Sequence, residues 1–129
     1  MEPLVIGLAD PAGPGWAEAR SIAELETLVR EGRTVAVTPA ALATAALATA
    51  AGRAARDAEE AGAGNAEGAG EAGGADDAEA AEIAVACVCA WLGARVFRTA
   101  RPEQVRMALR MTESLAGRRP PALTRRGLA

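Results

Sequence analysis

Residues 93–129 read GARVFRTARPEQVRMALRMTESLAGRRPPALTRRGLA, and their pattern sets the fold class. Ala94-Arg95-Val96-Phe97-Arg98 has the form of a short buried strand entered from a glycine. Pro102 suits the opening of a helix, because its missing N–H would be unpaired in a first turn anyway. Val105, Ala108, Leu109, Thr112 and Leu115 then recur at helical spacing, and Gly117 supplies a stop. A strand followed at once by a helix, then a basic, proline-stiffened tail, is the expected arrangement.

The same alternation runs upstream. Leu4-Val5-Ile6-Gly7-Leu8 is a compact apolar run that suits a strand buried on both faces. Asp10-Pro11-Ala12-Gly13-Pro14-Gly15-Trp16 reads as a loop. Ser21 and Glu24 form a capping box, Ile22, Leu25, Leu28 and Val29 make one apolar stripe, and Gly32 ends that helix. Thr34–Val37 is a second strand, after which Thr38 as N-cap and Pro39 open a helix running to about Ala58. Residues 61–75 are low-complexity and glycine-rich, too polar to repay ordering, and read as a flexible Gly/Ala/Glu-rich insertion. Beyond it, Asp76 or Asp77 caps a helix in which Ile83, Val85, Ala86, Val88, Trp91 and Leu92 leave little polar face, so it is expected to be mostly buried. That helix is either separate or a second segment of the preceding one. The expectation is an α/β fold of about three parallel strands alternating with helices. Its parts are a βαβα portion over 1–58, an acidic linker over 59–76, and a helix, final strand, final helix and basic tail over 77–129.

Composition bounds the chemistry. At 129 residues the chain makes one domain at most. Half the residues are apolar, but alanine dominates and the aromatics are Trp16, Trp91 and Phe97 alone, so the core is thin for the length. The formal charge of -3 hides an asymmetry: residues 57–82 hold nine acids and no base, whereas residues 93–129 hold nine arginines against Glu103 and Glu113. Lysine and histidine are absent. That removes the commonest general base, the Schiff-base amine and imidazole ligation of metals. Cys87 and Cys89 lie two apart on a helical run and point about 200° apart, so they cannot share a metal. A reduced pair in a reducing cytoplasm fits them. The amino terminus lacks the basic region of a signal peptide, and Ala40–Ala51 is short of the roughly 20 residues a membrane span needs.

On these residues the chain resembles the carboxyl end of bacterial dihydropteroate synthases. The strand, helix and closing RRPP…RRGLA are similar to the end of that family's (β/α)8 barrel, and the whole chain lies against barrel strands six to eight. Asp10-Pro11…Gly13-Pro14-Gly15-Trp16 resembles the family's Asp-Pro-Gly-x-Gly-Phe loop, with a residue inserted and Trp16 at the Phe position. Residues 32–37 resemble the strand leading to the family's Ser-Arg-Lys motif, but Ala40-Ala41-Leu42 stands there without its charges. Arg98 matches the arginine of the Arg-x-His motif, with Ala100 at the histidine position. The resemblance therefore implies a partial (β/α)8 barrel linked to folate biosynthesis. It makes Asp10, Trp16 and Arg98 pterin- or substrate-binding residues, with Arg101 as a further anion contact and a pterin or diphosphate ligand. It also implies a chain inactive alone, since two donors aimed at the developing charge are missing. No catalytic residue and no metal ligand is assigned. The family uses magnesium on a segment preceding the matched strands, so no cofactor is expected in this chain.

Each residue has a plainer reading. An aspartate before proline is a turn former, a lone tryptophan is a core or lid aromatic, and Arg98 at a strand end is either an anion contact or a solvated arginine. The tail's arginines carry no interleaved aromatics for base stacking, which argues against nucleic acid. Three strands cannot close an eight-stranded barrel, so an open edge and an apolar face call for a cover. Homo-oligomerisation, a full-length synthase or a complementary half would provide it. The alternative from another class is a non-enzymatic interaction or scaffold protein that oligomerises through the sheet and carboxyl-terminal helices. A start at Met1 inside a longer reading frame is a third explanation of the missing half.

Overall fold

The computed structural model describes residues 2–62 and 74–118. In chain order the elements are β1 (Leu4–Ile6), β2 (Trp16–Glu18), α1 (Ile22–Arg30), β3 (Thr34–Val37), α2 (Pro39–Glu60), α3 (Ala75–Leu92), β4 (Val96–Arg98) and α4 (Pro102–Leu115). The four strands form one parallel sheet in the order β1-β4-β3-β2. The α/β class and the parallel sheet thus agree with the sequence. The strand count is four rather than about three, because Trp16–Glu18, expected to end a loop, pairs with β3 in the register Ala17↔Val35. Three residues following a Gly-Pro-rich loop carry no readable alternation; their partner makes them a strand.

From β2 through β3 to β4, each connection crosses over to the adjacent parallel strand and moves in one direction. Right-handed crossovers of that kind put their helices on one face of the sheet. Val5, Phe97 and Val37 lie in one row by register. With Val35 they face a core built from Leu25 of α1, Leu42 of α2, Ala86, Cys89 and Ala90 of α3, and Val105 and Leu109 of α4. Phe97, fully buried at the centre, is the bulkiest of them, and alanines fill much of the remainder. The other face carries Leu4, Ile6, Trp16, Glu18 and Arg98 by the two-residue alternation of strands.

Local signals explain most helix ends. Ser21 Oγ accepts from the Glu24 amide at 3.1 Å, while the Glu24 carboxylate accepts from the Arg20 amide at 2.8 Å, one residue earlier than a capping box requires. Pro39 and Pro102 open α2 and α4. Gly93 ends α3 at φ 115° and lies so close to α1 that an added Cβ would stand 2.9 Å from Val29 Cγ1. Thr38 does precede α2, but its side chain makes no capping bond. At α3 the N-cap is Gly74, and Asp76 and Asp77 sit in the first turn, where their charge complements the helix dipole.

Two further expectations need correcting. The stretch 59–76 is not all linker: Glu59 and Glu60 end α2, and Ala75 and Asp76 begin a separate α3. The rest of the expected flexible insertion, 63–73, lies outside the described residues, as does the tail from 119. Finally, α3 is not mostly buried. Its sheet-facing side holds Glu82, Ala86, Cys89 and Ala90, but Val88 and Trp91 are exposed, as is Leu115 of α4. Among the described residues nothing packs on the outward side of the helical layer, and apolar character alone cannot bury it.

Candidate functional site

The carboxyl edge of a parallel sheet is where strand ends present ligand contacts, and three of the four candidate residues lie there. The β1–β4 pairing sets Ile6 beside Arg98, and the Thr99 amide donates to the Ile6 carbonyl at 3.0 Å. The turn leaving β1 thus begins next to the end of β4. In that turn the Asp10 carboxylate accepts from the Gly7 amide at 2.7 Å, and the Asp10 amide donates to the Gly7 carbonyl at 3.2 Å. Asp10 therefore closes its own turn, as the plainer reading expects, while its side chain stays exposed to solvent.

Arg98 ends β4 on the sheet face opposite the helices. Its guanidinium reaches across β3 toward Glu18 of β2, with Nη1 and Oε1 4.0 Å apart. That separation is at the limit of an ion pair, and half-exposed Glu18 makes it a weak one. Arg98 is held over the sheet yet not locked.

Arg101 is locked. Its Nη1 donates to Glu82 Oε2 at 2.6 Å and its Nε lies 3.6 Å from Glu79 Oε2. Glu82 is an acid within an apolar helix, with its side chain 2% exposed. Its second oxygen accepts from Thr99 Oγ1 at 2.5 Å, and Thr99 Oγ1 accepts from the Arg101 amide at 2.9 Å. Both oxygens of this buried carboxylate are thereby engaged, as its burial demands. The cluster ties the start of α4 to α3, and Arg101 has little left to offer an anion. The sequence signal was present, a charge in the run AEIAVACVCAWL, but its partner could not be read.

Trp16 stands apart. It begins β2 at the amino edge, two strands from β4, and its ring packs on Gly13, where an added Cβ would collide with Cε2. The fold brings Asp10, Arg98 and Arg101 to one edge and places Trp16 at the other.

A second polar cluster, unforeseen in the sequence, lies at the amino edge. Glu113 of α4 accepts two hydrogen bonds from Arg118 on Oε1, at 2.6 and 3.0 Å, and one from Arg95 Nη1 on Oε2 at 3.4 Å. Arg118 also donates to the Ala90 carbonyl at 2.8 Å. The Arg118 hydrogen bonds, with smaller help from Arg95, hold the Glu113 carboxyl below its usual range despite desolvation. Burial pushes the Cys89 thiol up to about 11, so it is protonated at neutral pH and a poor nucleophile. Among the described residues no three His, Cys, Asp or Glu side chains converge to hold a metal ion, and no helix is long and apolar enough to cross a membrane. No protein-family model matches the chain, and neither a curated protein nor a solved structure matches it.

Proposed function

We propose that the chain is a degenerate, dihydropteroate-synthase-like pterin-binding module of cytoplasmic folate biosynthesis, without catalysis of its own, that works with a partner chain. The observation that carries this reading is the adjacency of Asp10 and Arg98, which follow neighbouring strands β1 and β4 at one sheet edge. A solvent-exposed carboxylate suits the N–H donors of a pterin ring, and a guanidinium suits a diphosphate. Each is engaged only by a local contact that a ligand can replace. The run β2-β3-β4, advancing in one direction with helices on one face, is compatible with a wall of a (β/α)8 barrel, whereas β1, paired with β4 rather than β3, stands outside that succession. A full-length synthase or complementary half would add the remaining strands, the diphosphate loop and a magnesium ligand. Without lysine or histidine, this chain brings orientation rather than proton transfer.

Titration calorimetry with a pterin diphosphate tests this, once light scattering has fixed the association state. We expect binding that falls at least tenfold in Asp10→Ala and in Arg98→Ala, with helicity retained in both. A folded chain that gives no heat, alone or mixed with a dihydropteroate synthase, would sink the reading.

One observation favours a second reading, a non-enzymatic protein that self-associates. Val88 and Trp91 of α3 and Met107, Met111 and Leu115 of α4 are 50–75% exposed, and the last three share one helix face at four-residue spacing. Such a patch is commonly a contact surface. If a second copy covers it, Trp91→Glu and Met111→Glu will convert an oligomer to a monomer in light scattering. A chain that is monomeric at tens of micromolar before mutation excludes this role.

A further inference from the structure

A cavity lies away from Asp10 and Arg98, between the turn that enters α1 and the facing sides of α2 and α3. Its volume is about 480 Å³, within the range of small-molecule pockets. The walls are apolar: Ile22 from α1, Leu42, Ala46 and Ala50 along one face of α2, and Val85 and Val88 from α3. The same lining also contains Arg20 and Arg53. Among the described residues neither guanidinium has a carboxylate partner, although acids outnumber bases in the chain. Of the two acids near Arg20 in sequence, Glu18 lies toward Arg98 and Glu24 accepts from the Arg20 backbone amide rather than from its side chain.

Two further donors face the same place. Ser21 lines the cavity, and its Oγ accepts from the Glu24 amide, which leaves its own O–H free to donate. Ser21 is also the N-cap of α1, so the next two amides, Ile22 and Ala23, have no intrahelical acceptor, and the positive end of the helix dipole points there. The remaining hydroxyl in the lining, Thr49, is spent on the Ala45 carbonyl at 2.9 Å. The cavity therefore combines an apolar wall with donors and positive charge, and among the described residues no acid contributes to its lining.

We propose that this cavity binds a small amphipathic anion, a carboxylate or phosphate carried on a linear apolar chain. The headgroup is held by Arg20, Arg53 and the Ser21 hydroxyl, and the chain lies between Leu42 and Ala46 of α2 and Val85 and Val88 of α3. The alanines of α2 have a purpose in this account: larger side chains at 46 and 50 would fill the space. The site is independent of the pterin reading, since it shares no residue with Asp10 or Arg98.

The test is titration of the full chain with decanoate and with decyl phosphate, both below their micelle concentrations, using decanol and inorganic phosphate as controls. The expected result is saturable one-to-one binding of at least one amphiphile, strengthening roughly fourfold per methylene between six and ten carbons. Decanol and phosphate should each bind at least tenfold more weakly. Comparison of the two amphiphiles decides whether the natural headgroup is a carboxylate or a phosphate. Arg20→Ala and Arg53→Ala, both at exposed positions, should each weaken binding about tenfold, and Ala46→Phe should abolish it with the circular dichroism spectrum unchanged. Absence of binding by both amphiphiles to a folded chain overturns the proposal, as does equal binding of decanol or indifference to both arginine substitutions.

Discussion

Glu113 shows how a thin core is supplemented by one well-placed charge. Its side chain is buried, two arginines converge on it, and through Arg118 it reaches the Ala90 carbonyl at the far end of α3. Its carboxyl titrates below its unfolded value, so the stability it contributes is present above that value and disappears as pH falls through the folded one. Glu113→Gln should cost about 1–3 kcal/mol in urea unfolding at pH 7, the range for losing charge-assisted hydrogen bonds. The gap between variant and parent should close as pH falls through the folded value, where the parent's carboxylate protonates. An unchanged gap at acid pH would mean that the cost is steric. None of this was legible in the sequence, because Arg95, Glu113 and Arg118 meet only after α3, β4 and α4 have packed. Asp10 was legible, since an aspartate in a Gly–Pro turn has few other uses, and Arg98 was legible as a strand-end arginine, though not its reach to Glu18.

At the scale of elements, helix boundaries follow local chemistry and were largely readable. Pro39, Pro102, Ser21 and the glycines after α1, α3 and α4 act over three or four residues and need no tertiary partner. β2 could not be read for the opposite reason: three residues gain strand geometry only from β3 alongside. The α3–α1 junction gives a sharp test of which constraint matters. At Gly93 both a φ of 115° and the Val29 side chain oppose a Cβ, whereas Gly117, at φ 73°, has open space around it. Gly93→Ala should therefore lower stability by about 2–4 kcal/mol, adding overpacking to backbone strain, and Gly117→Ala by only about 1 kcal/mol. Equal losses in thermal unfolding would show that the contact with α1 is not tight. Beyond Ala43, by contrast, every residue of α2 is exposed, so the buried part of this long alanine helix is confined to Pro39, Leu42 and Ala43 at its start, although it runs alongside α3.

For the whole molecule, the alternation of strand and helix conveyed the class and the parallel sense, because crossover connections leave few other solutions. The order of strands was beyond reach: nothing local says that β1 pairs with β4 rather than with β3. That pairing has a consequence in time. Leu4 lies against Val96, so β1 leaves the ribosome long before β4, its partner in the sheet. The β2–α1–β3 unit can form early, but an edge of the sheet stays vacant while β1 waits, a long loop closure that slows folding and lengthens exposure to misassociation. Nascent chains stalled so that only residues up to about 90 have emerged should be digested readily by protease, and those extended past Leu115 should resist. A strand that waits for so distant a partner cannot be stable until that partner has been made.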